Sequence, residues 1–442
     1  MTPTTATATT HVGATTPDRL ERARQDYADR NIESRRLHER ALEVMPGGNT
    51  RSLFYNKPFP LTFVAGEGSV LTDADGHEYV DLLGDYTAGL FGHSDGRARE
   101  AAMTALAINT SVGGIHPAEQ SLARLMCERF GLGLVRFTNS GTEANLMAIT
   151  AARLVTGRSH ILVMHGGYHG GLLYFGNGVA PWNAPYPTVV GRYNDLDACR
   201  QLIHTHADDL AAVLVEPLLG SAGCVPTTRS FLGGLLDAAH EVGAIAIFDE
   251  VMTSRLGPRG LSHEFDLQPD LKTFGKYIAG GFSFGSFGGQ ADIMNVFDLS
   301  KPGGVPHGGT FNNNVTSISA GVEVLSTMYT ADIAAAFTAR GDELRVNIAD
   351  VLARHELDMC ITGSGTMMSL HARAVTPTDG HTAADRDPVL QEQIFLGMLS
   401  RGYYIAQRGM LNLSLPVTDD QLSGFLGALD DLCTELATDR PV

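Results

Sequence analysis

From about Leu134 the chain settles into short apolar runs separated by segments long enough for a helix: VRFTNS, HILVMHGG, AAVLVEP, AIAIFDEV and LKTFGKYI. Runs this short and apolar suit strands buried on both faces, and the spacers supply the crossovers that parallel neighbours need. The rhythm predicts an α/β fold in which a mainly parallel sheet lies between helices. Ligands of such sheets gather at the carboxyl ends of the strands. The polar residues just after each run are therefore where chemistry is to be sought.

The flanks read differently. Residues 1–16 lack both the basic start and the apolar stretch of a secretory signal, and are expected to be a disordered leader. Arg19 to Met45 has the pattern of an amphipathic helix ending before Pro46-Gly47-Gly48, and FVAGEGSVLTDADGHEYVDLLG alternates like a hairpin. Beyond Asn314 a long helical stretch leads to strand candidates TGSGTMMSLHA and LNLSLP. The expected division is 17–75 as an N-terminal part of a small α+β domain, 76–335 as the large domain, and 336–442 as the C-terminal part of the small domain.

With 442 residues and a formal net charge of -17, the chain carries no Lys/Arg cluster that would suit nucleic acid or an anionic membrane. Small anionic substrates would have to be caught by individually placed arginines. No apolar run is long enough to span a bilayer. The 5 cysteines are scattered without a CxxC pair, which fits reduced thiols in a cytoplasmic protein and suggests no metal site.

Four segments carry candidate chemistry. Lys276 sits in an apolar, glycine-rich stretch, where desolvation favours the neutral amine that can attack an aldehyde; alone it reads more simply as a surface lysine after a strand. Asp249 ends the run AIAIFDEV, where a buried carboxylate needs a partner, such as a protonated ring nitrogen; it would also serve as a helix cap. Ser140-Gly141-Thr142 opens a helix, and backbone N–H groups with small hydroxyls there seat a phosphate. A capping box with Glu143 explains the same residues and is compatible with that seat. HGGYHGG presents Tyr168 on a turn, able to stack on a flat heterocycle or simply to lie at the surface. As a zinc pair, His165 and His169 would need a helix that the surrounding glycines disfavour.

In this order these pieces resemble the class III (ω-type) aminotransferases, pyridoxal-5′-phosphate (PLP) enzymes of fold type I. The matches are SGTEA at 140–144, GGYHG at 166–170, VEP at 215–217, FDEV at 248–251, GK at 275–276 and HGGTFNNN at 307–314. They lie in a resemblance spanning about residues 35–435. The resemblance implies that Lys276 holds PLP as a Schiff base and shuttles the proton between substrate carbon and cofactor. It also implies that Asp249 pairs with the pyridine nitrogen, that Tyr168 and Val251 pack on opposite ring faces, and that Gly141 and Thr142, with Ser140 nearby, bind the phosphate. Glu216 belongs to the cofactor's hydrogen-bonding surroundings. Thr310 would reach the phosphate of a neighbouring subunit, which implies a homodimer with shared active sites.

Within that family the chain is similar to the aromatic β-amino acid (β-phenylalanine) aminotransferases and to glutamate-1-semialdehyde 2,1-aminomutase. Both open with a glycine-rich loop ending in arginine, here PGGNTR ending at Arg51, which can grip a carboxylate two-pronged. Tyr86 in GDYTAGLFGHS, the segment TSRLGPRGL and Arg408 in YIAQRGMLNLSLP look like the former, which implies that Arg51, Arg408 and Tyr86 bind substrate; the aminomutases carry a tryptophan near Tyr86 and no arginine like Arg408. The expectation is a ping-pong transfer from a β-amino acid, with its carboxylate on Arg51, to 2-oxoglutarate or pyruvate. Arg408 would bind the second carboxylate of 2-oxoglutarate and swing aside for an aromatic ring. The alternatives are the aminomutase, a broad amine:oxo-acid transaminase and a non-catalytic PLP-binding protein; a dehydrogenase lacks its GxGxxG after an early strand.

Overall fold

The computed structural model describes residues 16–108 and 112–438. The expected leader, apart from Thr16, lies outside them. The stretch read as one helix from Arg19 to Met45 is two, Thr16–Arg30 and Ile32–Leu42. At Asn31 the backbone leaves the helix (φ -117, ψ 53) and the side-chain amide donates to Tyr27 O at 2.7 Å. The carboxylate of Asp75 then accepts the N–H groups of Glu33 and Ser34, at 2.7 and 2.9 Å, capping the second helix. A cap supplied from more than forty residues away leaves no local signal.

The expected hairpin is a three-stranded antiparallel meander, β1 (Phe63–Glu67), β2 (Val70–Asp73) and β3 (Glu78–Asp81). The central sheet comprises β4 (Leu134–Thr138), β5 (His160–Met164), β6 (Thr188–Gly191), β7 (Leu210–Val215), β8 (Ile245–Asp249), β9 (Leu271–Gly275) and β10 (Gly285–Gly289). Their order is β4-β10-β9-β8-β7-β5-β6, parallel from β9 to β6, with β10 antiparallel to both its neighbours. Alternate residues face different layers. Leu162 and Met164 of β5 pack with Phe231, Leu232 and Leu235 of helix Arg229–Glu241, whereas Ile161 and Val163 pack with Ala148 and Ile149 of helix Gly141–Thr156. β10 fits where it does because its glycines leave room for neighbouring backbone: a Cβ on Gly285 would lie 2.1 Å from Ser140 O, and one on Gly289 2.0 Å from Asp270 O.

The C-terminal segment forms β11 (Cys360–Ser364), β12 (Met367–His371) and β14 (Met410–Asn412) as an antiparallel sheet. Between them in sequence, β13 (Tyr403–Tyr404) pairs with β3 and completes the N-terminal sheet. N-terminal and C-terminal parts of the chain thus share a sheet. Among the described residues no helix is long and apolar enough to cross a membrane.

Candidate active site

The carboxyl ends of four strands, with the loop after β4, converge on one cavity of about 500 Å³. Its lining includes Ser140, Gly141 and Thr142 after β4, Tyr168 and His169 after β5, Glu216 after β7, Asp249 ending β8 and Lys276 after β9. Val251 and Arg51 line it as well, and Asp85 joins them, whereas the predicted Arg408, Tyr86 and Thr310 are not part of its lining.

Lys276 follows the last residue of β9 with a left-handed φ of 58, which turns its side chain out of the sheet into the cavity. Burial pushes its amine down from 10.5 to about 8; the charge of Asp85 opposes this and those of Arg51 and Arg408 add to it. An amine in that range is partly neutral near physiological pH, as a nucleophile toward a carbonyl must be.

Asp249 is 4 % exposed and well supplied with donors. Its Oδ2 accepts from Asn145 Nδ2 and His169 Nδ1, both at 2.8 Å, and its Oδ1 from Val251 N at 2.9 Å. Asn145 is itself held by Thr273, whose hydroxyl donates to Asn145 Oδ1 at 2.8 Å. A carboxylate has about four lone-pair positions, so one remains for a donor in the cavity. Asn145 and His169 escaped the sequence reading: one is a helix residue without motif character, and the other was weighed only as half of a zinc pair.

At the start of helix Gly141–Thr156, Ser140 Oγ accepts Glu143 N at 3.2 Å. The expected reciprocal arm goes elsewhere: Glu143 Oε2 accepts Asn139 N at 2.9 Å, because the chain arrives from β4 with that N–H turned toward the helix. The N–H groups of Gly141 and Thr142 stand in the first turn, outside the helical ladder. Close packing shapes this seat, since a Cβ on Gly170 would come within 2.2 Å of Thr142 Oγ1 and one on Gly141 within 2.9 Å of Val251.

Glu216 accepts Tyr168 N at 3.0 Å and Gly220 N at 3.0 Å, tying the Tyr168 turn to the end of β7. Burial pushes its carboxyl up to about 7, with Asp249 adding to the rise and His169 and the two backbone donors opposing it.

Arg51 and Arg408 approach the cavity from distant parts of the chain and meet at Tyr86, their guanidinium carbons 6.0 and 5.0 Å from its ring centroid. Arg51 Nη1 also donates to Asp85 Oδ1 at 2.6 Å and its head lies 4.4 Å from the Phe54 ring; Arg408 Nη1 reaches Ser221 Oγ at 3.4 Å. Tyr86 itself is buried, with its hydroxyl donated to Leu53 O at 3.0 Å. It supports the guanidinium groups from behind and does not line the cavity. Thr310 is not brought to the cavity by its own chain; it lines a separate hollow with Gly113, Gly114, Phe311 and Asn313.

The aminotransferase class-III family model matches residues 55–175 and 178–432. The chain belongs to this family. It is 43% identical over 411 residues to a beta-phenylalanine transaminase from Variovorax paradoxus, covering 93% of this chain and 94% of that protein. The crystal structure of a beta-phenylalanine aminotransferase from the same organism superposes with a TM-score of 0.94 at 42% identity, covering 96% of this chain and 98% of that one. A glutamate-1-semialdehyde 2,1-aminomutase from Methanothermobacter thermautotrophicus is 34% identical over 388 residues, 85% of this chain and 92% of that protein. The chain is thus a PLP-dependent transaminase of fold type I. Its cavity fits that cofactor: a buried carboxylate with a spare acceptor position, a helix start with unpaired N–H groups, and an amine depressed toward neutrality share one wall.

Proposed function

We propose that this transaminase takes the amino group of an aromatic β-amino acid such as 3-amino-3-phenylpropanoate and passes it to 2-oxoglutarate or pyruvate in two half-reactions. The supporting observation is the pair of arginines, Arg51 and Arg408, converging on Tyr86 beside the Lys276 cavity. One site must admit a donor with one carboxylate and a ring, then an acceptor such as 2-oxoglutarate with two carboxylates. Arg51 grips the carboxylate common to both. Arg408 takes the second carboxylate and yields its place to the ring. An aminomutase, rearranging a single molecule, has no use for a second arginine. The likeness to a Variovorax paradoxus beta-phenylalanine transaminase supports the same reading.

When bound, PLP supplies an electron sink for the carbon that loses its proton. Lys276 would hold its aldehyde carbon covalently and, once displaced, carry the proton between substrate carbon and cofactor. Asp249, oriented by Asn145 and His169, would keep the ring nitrogen protonated. Gly141 and Thr142 N–H, with Ser140, would receive the phosphate. Tyr168 and Val251 would pack on the ring faces, and Glu216 fixes the Tyr168 turn. Thr310 of one subunit would complete the phosphate site of the other in a homodimer. The five unpaired cysteines are in keeping with a cytoplasmic enzyme.

The test is a panel of aromatic and aliphatic β-amino acids, simple amines and glutamate-1-semialdehyde, with 2-oxoglutarate or pyruvate, followed at the cofactor's visible absorbance. Aromatic β-amino acids should bleach it and yield the 3-oxo acid. Silence toward every β-amino acid, with turnover of glutamate-1-semialdehyde, refutes the proposal. Arg51→Ala should lose both substrates, and Arg408→Ala chiefly the dicarboxylate; equal losses in the Arg408 variant count against the divided roles.

A further inference from the structure

Asp85 has no part in the reading above, yet it faces the same cavity as Lys276 and Arg51. The backbone goes to some length to put it there. Gly84, Asp85, Tyr86 and Thr87 take four successive left-handed φ values, 53, 44, 52 and 79. Only the glycine adopts such a conformation freely, and strain of this kind concentrates at ligand sites. The turn is stapled from both sides: Asp81 Oδ1 accepts the N–H groups of Leu83 and Gly84 at 2.9 Å, and Asn412 Nδ2 donates to Leu83 O at 3.0 Å. A Cβ on Gly84 would approach Asn412 O to 3.2 Å, so the strand β14 presses directly on the turn.

The carboxylate so placed is only half engaged. Oδ1 accepts Arg51 Nη1 at 2.6 Å, and among the described residues Oδ2 receives no hydrogen bond. Asp85 lines the same cavity as Lys276, and its charge favours the protonated form of that amine. The wall of the cavity therefore carries a positive and a negative group side by side, within reach of the point where an incoming amine must arrive.

We propose that Arg51 and Asp85 together recognise the zwitterion of the amino donor, its carboxylate on Arg51 and its ammonium on the free edge of Asp85. A β-amino acid carries these two charges only two carbons apart, so one molecule can meet both of the adjoining side chains. The oxo acid acceptor has no ammonium, so Asp85 repels it and favours release of the oxo acid product. Asp85 is thus a specificity residue that treats the two substrates oppositely. This inference rests on the assignment of Arg51 to the substrate carboxylate.

Asp85→Asn is the suitable probe, because asparagine tolerates the left-handed region and keeps an acceptor for Arg51. In steady-state assays with 3-amino-3-phenylpropanoate and 2-oxoglutarate, the donor's KM should rise and the acceptor's KM should fall. Each change should be roughly two- to fivefold, the scale of one half-exposed charge contact, and should shrink as salt is raised. A merely structural role would raise both KM values and lower the thermal midpoint. Shifts in the same direction, or no shift in either, overturn the inference. Arg51→Ala measured beside it keeps the two questions apart: unchanged KM values there refute the Arg51 assignment, whereas intact Arg51 dependence without the opposed Asp85 shifts refutes only the role of Asp85.

Discussion

Glu216→Gln gives a measurement of burial that needs no substrate. The Glu216 carboxyl is 4 % exposed and raised from 4.5 to about 7, chiefly by burial. A group whose native value lies above its unfolded value contributes stability that is full below about 4.5 and is lost as pH rises through about 7. Linkage between those two values makes the native protein about 2 kcal/mol less stable at a pH of about 8.5 than at about 5.5 through this group alone. Glutamine has the same shape and does not titrate, so its variant lacks this slope. Its amide nitrogen must face Tyr168 N or Gly220 N, both donors to Glu216. That mismatch costs about 1–3 kcal/mol but costs it equally at every pH. Denaturant unfolding of both proteins at the two pH values should therefore show the variant the weaker at low pH and the gap narrowing by about 2 kcal/mol at high pH. A gap that stays constant refutes the reasoning and means that the two backbone donors hold the carboxylate ionised throughout.

Other outcomes follow from the same geometry. With the Lys276 amine lowered to about 8, the rate at which apoprotein takes up PLP covalently, followed by visible absorbance, should rise with pH around that value; a midpoint near that of an ordinary lysine would contradict the burial of the amine. Lys276→Ala should abolish both this absorbance and transamination. Gly170→Ala forces a Cβ to 2.6 Å from Thr142 Cβ at a φ of 120, and should lower stability by about 1–3 kcal/mol and weaken PLP binding at least about tenfold. Thermal melts and a cofactor titration check both, and wild-type values in each would show that the loop accommodates the methyl group without moving Gly141 and Thr142.

The parts of the site that were legible are those whose chemistry is unusual for their setting. A lysine in a glycine-rich apolar stretch, an aspartate closing an apolar run and small hydroxyls at a helix start each conflict with simple burial rules, and so each stands out. Asn145 and His169 were not legible because their importance lies in a distant partner, Asp249, 104 and 80 residues away in sequence. Asp85 was invisible for a related reason: its placement depends on Asp81 and Asn412 holding a left-handed turn. Tyr86 was expected among the substrate-binding residues, but packing buries it behind Arg51 and Arg408, away from the cavity lining.

Sequence alone determined the alternation of strand and helix, since apolar runs of this length cannot remain in water and their spacing leaves room for the crossovers that parallel strands need. It also determined which residue types meet at the strand ends. The tertiary structure decided the break at Asn31, the insertion of β10 against the direction of its neighbours, and the meeting of Arg51 with Arg408 across the chain. Those features arise from contacts between segments far apart in sequence. A local pattern encodes what each residue prefers, and only the closed fold fixes which preferences are met by which partner.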